Sequence, residues 1–226
     1  MIPIQTNTLA RVFFIKAAQY GTAFTIDVEG AEFLVTARHL FDLAAATHPI
    51  SVFRYNRWIT LDPAAIEFSK SEADIAVIRL HERLTPEHLK ISPSIARYVL
   101  GQDVYILGFP YKMHEDVGSM LNGYPCALLK RGTAASLGAG DSGVLFVDTL
   151  CNEGFSGGPV VFSPIGEPNS LQIAGVISGY RTEREPVLSK NDGEPTGDYI
   201  EVNTGLLKAY NIKLAVELAN RMARQS

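Results

Sequence analysis

Apolar positions along this chain fall in short clusters separated by Gly, Pro, Asn and Asp, with no long helical stripe until the C-terminal end. Clusters rich in Val, Ile, Phe, Tyr and Thr and bounded by turn formers predict strands. Twelve are expected, over 12–17, 23–28, 32–37, 51–55, 57–61, 75–80, 103–108, 126–130, 143–148, 158–162, 172–178 and 199–203. Twelve strands imply two small β-barrels, and hence an all-β protein. Tight hairpins are predicted at Glu29-Gly30-Ala31 and at Asn56, where residues that accept left-handed backbone separate adjacent strands. From Thr204 onward the pattern changes. Leu206, Leu207, Tyr210, Leu214, Val216, Leu218, Ala219 and Met222 recur at three- and four-residue steps without proline, predicting a helix over about 204–224, bent near Asn211 and packed against a barrel. The segments 111–125 and 181–198 exceed ordinary connection lengths and are expected to be irregular.

Composition narrows the classes. A chain of 226 residues with 46% hydrophobic and 19% charged residues can bury a sizeable core, which excludes a largely disordered protein. Twenty basic against 24 acidic residues gives a net charge of −4, and no long basic run is present, so no nucleic-acid partner is expected. No stretch approaches 18 consecutive apolar residues, and the first residues lack a cationic segment followed by a long apolar one. The expectation is therefore a cytoplasmic protein without a membrane partner. Two cysteines, Cys126 and Cys151, cannot build a disulfide framework, which suits a reducing compartment. No second Cys or His lies at ligand spacing from Cys151, so no metal or cofactor is expected.

The sharpest local signal is Gly154-Phe155-Ser156-Gly157-Gly158-Pro159, between one strand and the next. Glycines on both sides of a serine permit a turn that exposes the hydroxyl and gathers peptide N–H groups toward one point, the requirement for stabilising an oxyanion. The same pattern also fits a glycine-rich turn with an incidental serine. An α/β-hydrolase elbow is excluded by chain order: its histidine follows the nucleophile, and no histidine here lies beyond His114. A histidine-first, acid-second, serine-last order stays open. His39 follows the apolar stretch 34–37, and Asp74 opens the apolar run 75–78, with separations of 74 − 39 = 35 and 156 − 74 = 82 residues. Such groups can meet only through the tertiary fold.

The segments Gly21-Thr22-Ala23-Phe24, Val35-Thr36-Ala37-Arg38-His39, Ala73-Asp74-Ile75-Ala76-Val77, Val104 to Pro110, Gly154 to Pro159 and Ile173 to Ser178, in this order, resemble the trypsin-like (chymotrypsin-fold) serine peptidases, and most closely the bacterial HtrA/Deg-type protease domain. The resemblance spans 21 to about 203. It implies two six-stranded antiparallel barrels, over about 1–95 and 100–203, with a cleft between them and a C-terminal helix. It also implies Ser156 as nucleophile, His39 as general base, Asp74 as the group orienting the imidazole, and the amides of Gly154 and Ser156 as the oxyanion hole. Ser178, Gly179 and Tyr180 would pair with substrate backbone, and Leu150 to Glu153 would wall the pocket for the side chain preceding the cut.

Departures from the family refine the expectation. Phe155 stands where digestive relatives carry an aspartate that receives a new N-terminus, so activation by that ion pair is excluded. Only 226 − 203 = 23 residues follow Asn203, too few for the PDZ domain of HtrA-type proteins. Leu150 replaces the acid with which trypsin binds Lys or Arg, so a small or apolar side chain before the cut is expected, with Glu153 at the rim. The implied function is a bacterial serine endopeptidase acting on polypeptides. Any control is expected to act through ordering of 111–125 or 181–198 by substrate, a regulatory partner or self-association. A non-catalytic peptide-binding module and an esterase on the same scaffold are the alternatives.

Overall fold

A computed structural model describes residues 4–138, 140, 142–168 and 170–224. The chain's first three residues, part of the segment read for an export signal, lie outside the described ones. A one-turn helix, α1 (Thr6–Leu9), leads into seven strands: β1 (Val12–Lys16), β2 (Tyr20–Val28), β3 (Ala31–Thr36), β4 (Ser51–Arg54), β5 (Arg57–Thr60), β6 (Pro63–Phe68) and β7 (Ala76–Leu80). They form one antiparallel sheet in the order β5-β4-β1-β2-β3-β7-β6. Both predicted hairpins are present. Glu29 and Gly30 have φ of 49° and 79°, and Tyr55 and Asn56 have 50° and 57°. Consecutive left-handed residues match the twist of the flanking strands.

Seven further strands follow: β8 (Ser92–Pro93), β9 (Asp103–Gly108), β10 (Leu128–Ala134), β11 (Val144–Asp148), β12 (Pro159–Phe162), β13 (Gln172–Leu188) and β14 (Pro195–Asn211). Their order is β12-β9-β10-β11-β14-β13, and β12 also pairs with β13, which closes a six-stranded barrel; β8 adds to β13 in parallel. The helix α2 (Ile212–Arg224) ends the fold. No helix among the described residues is long and apolar enough to cross a membrane.

The all-β chymotrypsin-like architecture with its terminal helix is as expected, with three corrections. First, the N-terminal unit is a curled seven-stranded sheet rather than a six-stranded barrel. Its extra strand, β6, reads weakly in sequence because Pro63-Ala64-Ala65 has low strand propensity. Among the described residues its free edge does not pair back to β5, so the sheet stays open. Second, the helix begins at Ile212, not near 204. Residues 204–211 belong to β14, where Leu207 and Ala209 are buried between β11 and β13. Long-range ladder bonds outweigh the helical spacing, and Asn211, whose side chain accepts the Lys213 N–H at 3.0 Å, starts the helix as its cap. Third, 181–198 is not irregular: Thr182 to Leu188 pairs with Pro195 to Asn203, forming an exposed two-stranded ribbon beyond the barrel. Its charged residues read as loop because neither face is buried. The segment 111–125 contains two short 3₁₀ turns, Pro110–Lys112 and Gly118–Leu121, and a bridge from Glu115 to Cys126.

The core divides by the period of two. In β1, Phe13 and Ile15 point into the N-terminal unit while Val12 and Phe14 face the C-terminal one; in β9, Ile106 points inward while Tyr105 and Leu107 face back. Strands buried on both faces read as continuous apolar runs. The cluster between the units also takes Ile212, Ala215, Leu218, Ala219 and Met222 from α2, so the helix fastens the two together.

Candidate active site

β3 ends at Thr36 and a single 3₁₀ turn, Arg38–Leu40, carries His39. Leu40 is buried beneath this turn and fills the space above Gly21, where a Cβ would lie 2.4 Å from its Cδ1. Arg38 reaches across to the carbonyls of Ser69 and Ser71, at 2.7 and 3.1 Å, and so ties the turn to the loop that carries Asp74. The His39 N–H donates to Asp74 Oδ1 at 2.8 Å, and His39 Nδ1 lies 2.5 Å from Asp74 Oδ2. An ionised carboxylate can only accept, so Nδ1 carries the proton and Nε2 is left as the basic lone pair. Burial pushes the Asp74 carboxyl up, but the hydrogen bond and charge of His39 and the hydroxyl of Ser178, at 2.7 Å, outweigh it and hold the pKa below the ordinary value.

Ser156 stands on the turn before β12, and its position is enforced by close backbone approach. A Cβ on Gly154 would lie 2.2 Å from the Phe109 carbonyl oxygen, one on Gly157 would lie 2.1 Å from the Thr22 carbonyl oxygen, and both residues have positive φ, 100° and 82°. Only glycine meets both conditions. Thr22 locks the turn from β2: its hydroxyl donates to the Gly154 carbonyl at 2.7 Å and accepts the Phe109 N–H at 3.2 Å, while its own N–H bonds the Ser156 carbonyl at 2.9 Å. Among the described residues the N–H groups of Gly154 and Ser156 bond to no other group of the chain. Two donors therefore remain for an incoming oxygen. Phe155 is fully buried in the C-terminal core, so the turn is anchored by apolar packing where an ion pair would need an aspartate.

His39, Gly154 and Ser156 line one cavity of about 470 Å³, together with Glu153, Gln19, Tyr20, Phe109, Tyr111 and Lys112. The imidazole is 41% exposed, enough for a substrate to reach it. The Ser156 hydroxyl donates to the Ser178 carbonyl at 3.3 Å. Ser178 is thus joined to both ends of the constellation, its hydroxyl to Asp74 and its carbonyl to Ser156. Gly179 and Tyr180 continue β13 and pair with Lys208 and Leu207 of β14. None of Ser178, Gly179, Tyr180 and Leu150 lines the cavity that holds Ser156. Leu150 is exposed, and its carbonyl is taken by Lys130 Nζ at 2.7 Å, which also bonds Asn152 Oδ1 at 2.6 Å. Burial pushes the Cys151 thiol up to about 12, so it stays protonated and unreactive at neutral pH. No group of three or more His, Cys, Asp or Glu among the described residues could hold a metal ion.

Sequence reasoning passed over Gln19, Tyr20, Tyr111 and Lys112 as site residues. Gln19 immediately precedes β2 and Tyr20 opens it, and the last two lie in a turn with no periodic pattern, so no local signal marks them.

Residues 21–167 match the trypsin-like peptidase domain family. The fold is similar to that of the Rv3671c protease from M. tuberculosis in an inactive form, with 18% identity, a TM-score of 0.55 and coverage of 99% of this chain and 96% of that one. It is also similar to the HtrA-type protease AlgW solved with a tripeptide, at 20% identity and a TM-score of 0.56; there 96% of this chain covers 63% of the other. Human heparin binding protein shares the fold at 12% identity, with a TM-score of 0.61 and coverage of 99% and 95%. No curated protein matches the chain.

Proposed function

The chain belongs to the trypsin-like peptidase domain family, and from that premise we propose that it is a serine endopeptidase working through Ser156, His39 and Asp74. The observation supporting this reading is the opening of the Asp74-oriented imidazole and the Ser156 hydroxyl onto one cavity beside two unused N–H groups. In the proposed reaction, His39 Nε2 takes the proton from Ser156 Oγ as that oxygen attacks the scissile carbonyl. The oxyanion is met by the Gly154 and Ser156 N–H groups, and each such donor contributes about 2.7–4 kcal/mol to the transition state. The amine leaves with the proton from Nε2, and the ester on Ser156 is hydrolysed by water activated at the same nitrogen. Asp74, held ionised, stabilises the imidazolium without taking its proton. The acyl side of the substrate would pair with the backbone of Ser178 to Tyr180, and its last side chain would lie toward Leu150 to Glu153.

The bond from Ser156 Oγ to the Ser178 carbonyl favours one competing reading, a peptide-binding module that does not cut. Rotation about one side-chain bond redirects Oγ, and serine-to-base contacts are often loose before substrate binds. A fluorophosphonate probe separates the two. Labelling of the folded protein that is lost in Ser156→Ala and His39→Ala is expected. Folded protein that stays unlabelled from about pH 6 to 9 refutes the endopeptidase. Hydrolysis of a matched peptide as well as its ester identifies the peptidase; hydrolysis of the ester alone identifies an esterase.

A further inference from the structure

The cavity at Ser156 extends away from the strand assigned to the acyl side. Since Ser178, Gly179 and Tyr180 do not line it, its walls of Gln19, Tyr20, Leu40, Tyr111 and Lys112 face the part of the substrate that follows the cut. Those walls carry one ammonium, that of Lys112. Lys112 Nζ lies 4.1 Å from the centre of the Tyr20 ring, and Lys16 Nζ lies 5.3 Å from the same centre. Neither ammonium forms an ion pair among the described residues.

Lys112 is held there by its turn. Tyr111 and Lys112 have φ of 51° and 65°, an unfavourable pair of left-handed residues without glycine. The turn is fastened by the Tyr111 N–H to the Glu153 carbonyl at 2.9 Å, the Lys112 N–H to the Phe109 carbonyl at 3.1 Å, and Asn152 Nδ2 to the Tyr111 hydroxyl at 3.1 Å. One carboxylate, Glu153, shares the cavity.

Resting on the endopeptidase reading, we propose that Lys112, backed by Lys16 on the Tyr20 ring, selects substrates carrying a carboxylate within two residues after the scissile bond. The source is an Asp or Glu side chain within a polypeptide, and the chain-terminal carboxylate is the other chemical source to be separated from it. Exposed cations beside the cavity give selectivity that salt weakens.

The test uses the full chain and amidated peptides identical up to the cut, with Glu, Gln or Lys at the first and second positions after it. A further peptide carries Gln there and ends in a free carboxylate at the second position. The expected result is a kcat/KM for Glu over Lys of about fivefold at low ionic strength, falling toward unity at about 1 M salt. Lys112→Gln is expected to flatten this preference and Lys112→Glu to reverse it, so the second variant serves if the other fails to fold. A preference confined to the free acid overturns the side-chain assignment. Equal rates for Glu and Lys peptides in protein that takes the fluorophosphonate label overturn this inference and leave the endopeptidase standing. Protein that neither takes the label nor cuts any peptide overturns both.

Discussion

His39 and Asp74 hang on connections of a sheet that stays open, whereas Ser156 stands on a turn rooted in a closed barrel. The first pair is held by side-chain hydrogen bonds, from Arg38 to two loop carbonyls and from Ser178 to the carboxylate. The second is held by backbone crowding against Thr22, Leu107 and Phe109, tolerable only because residues 154, 157 and 158 have no side chain. Hydrogen bonds fail one at a time and modestly. Crowding fails at once, because a new atom has nowhere to go. The His39 side of the cleft should therefore be graded in its response to substitution, and the Ser156 side abrupt.

The largest expected effect joins the two sides. Ser156→Ala and His39→Ala should each lower kcat by about 10⁴-fold or more, and the double variant should be no slower than the worse single one, because the groups act as a unit. Steady-state kinetics on a peptide substrate checks this; additive losses would mean that the open and closed units act independently. On the crowded side, Gly157→Ala should cost about 3 kcal/mol, combining a forbidden backbone angle with a Cβ inside contact distance of the Thr22 carbonyl. A denaturant midpoint within error of the parent would break the contrast. On the hydrogen-bonded side, Arg38→Ala should cost only about 1 kcal/mol by the same measurement, with the fold retained.

The smallest effect sharpens the comparison through pH. The Asp74 pKa is depressed in the folded state, so its stabilisation is present at neutral pH and is lost as pH falls through that folded value. Ser178→Ala removes one donor and lifts the folded pKa toward the ordinary one. The Tm gap between parent and variant should be widest near neutrality and close only below about pH 4, as pH falls through the depressed folded value of Asp74. A gap that does not change with pH would mean that Ser178 steadies the strand and not the carboxylate.

Much of this was legible along the chain. The inward and outward alternation of β1, β3 and β9 is local, the hairpins at Gly30 and Asn56 announce themselves by residue type, and glycines around Ser156 mark a turn that other residues cannot make. The boundary at Asn211 was not legible, since Leu207, Tyr210 and Leu214 fit helical spacing as well as strand alternation. The part of the ribbon over 182–198 was missed for a related reason: its pairing is satisfied across the hairpin and not by burial, so it left no hydrophobic pattern.

By itself the sequence determined which residue types could do chemistry, in what order, and which short segments would extend, because steric demands on φ and burial at a period of two act over a few residues. Tertiary structure alone decided that one sheet closes and the other does not, that the Ser178 hydroxyl reaches a carboxylate 104 positions away, and that Lys112 stands over the Tyr20 ring beside Ser156. Those outcomes depend on which distant edges and loops meet once the core is buried, and no pattern within either partner specifies the other.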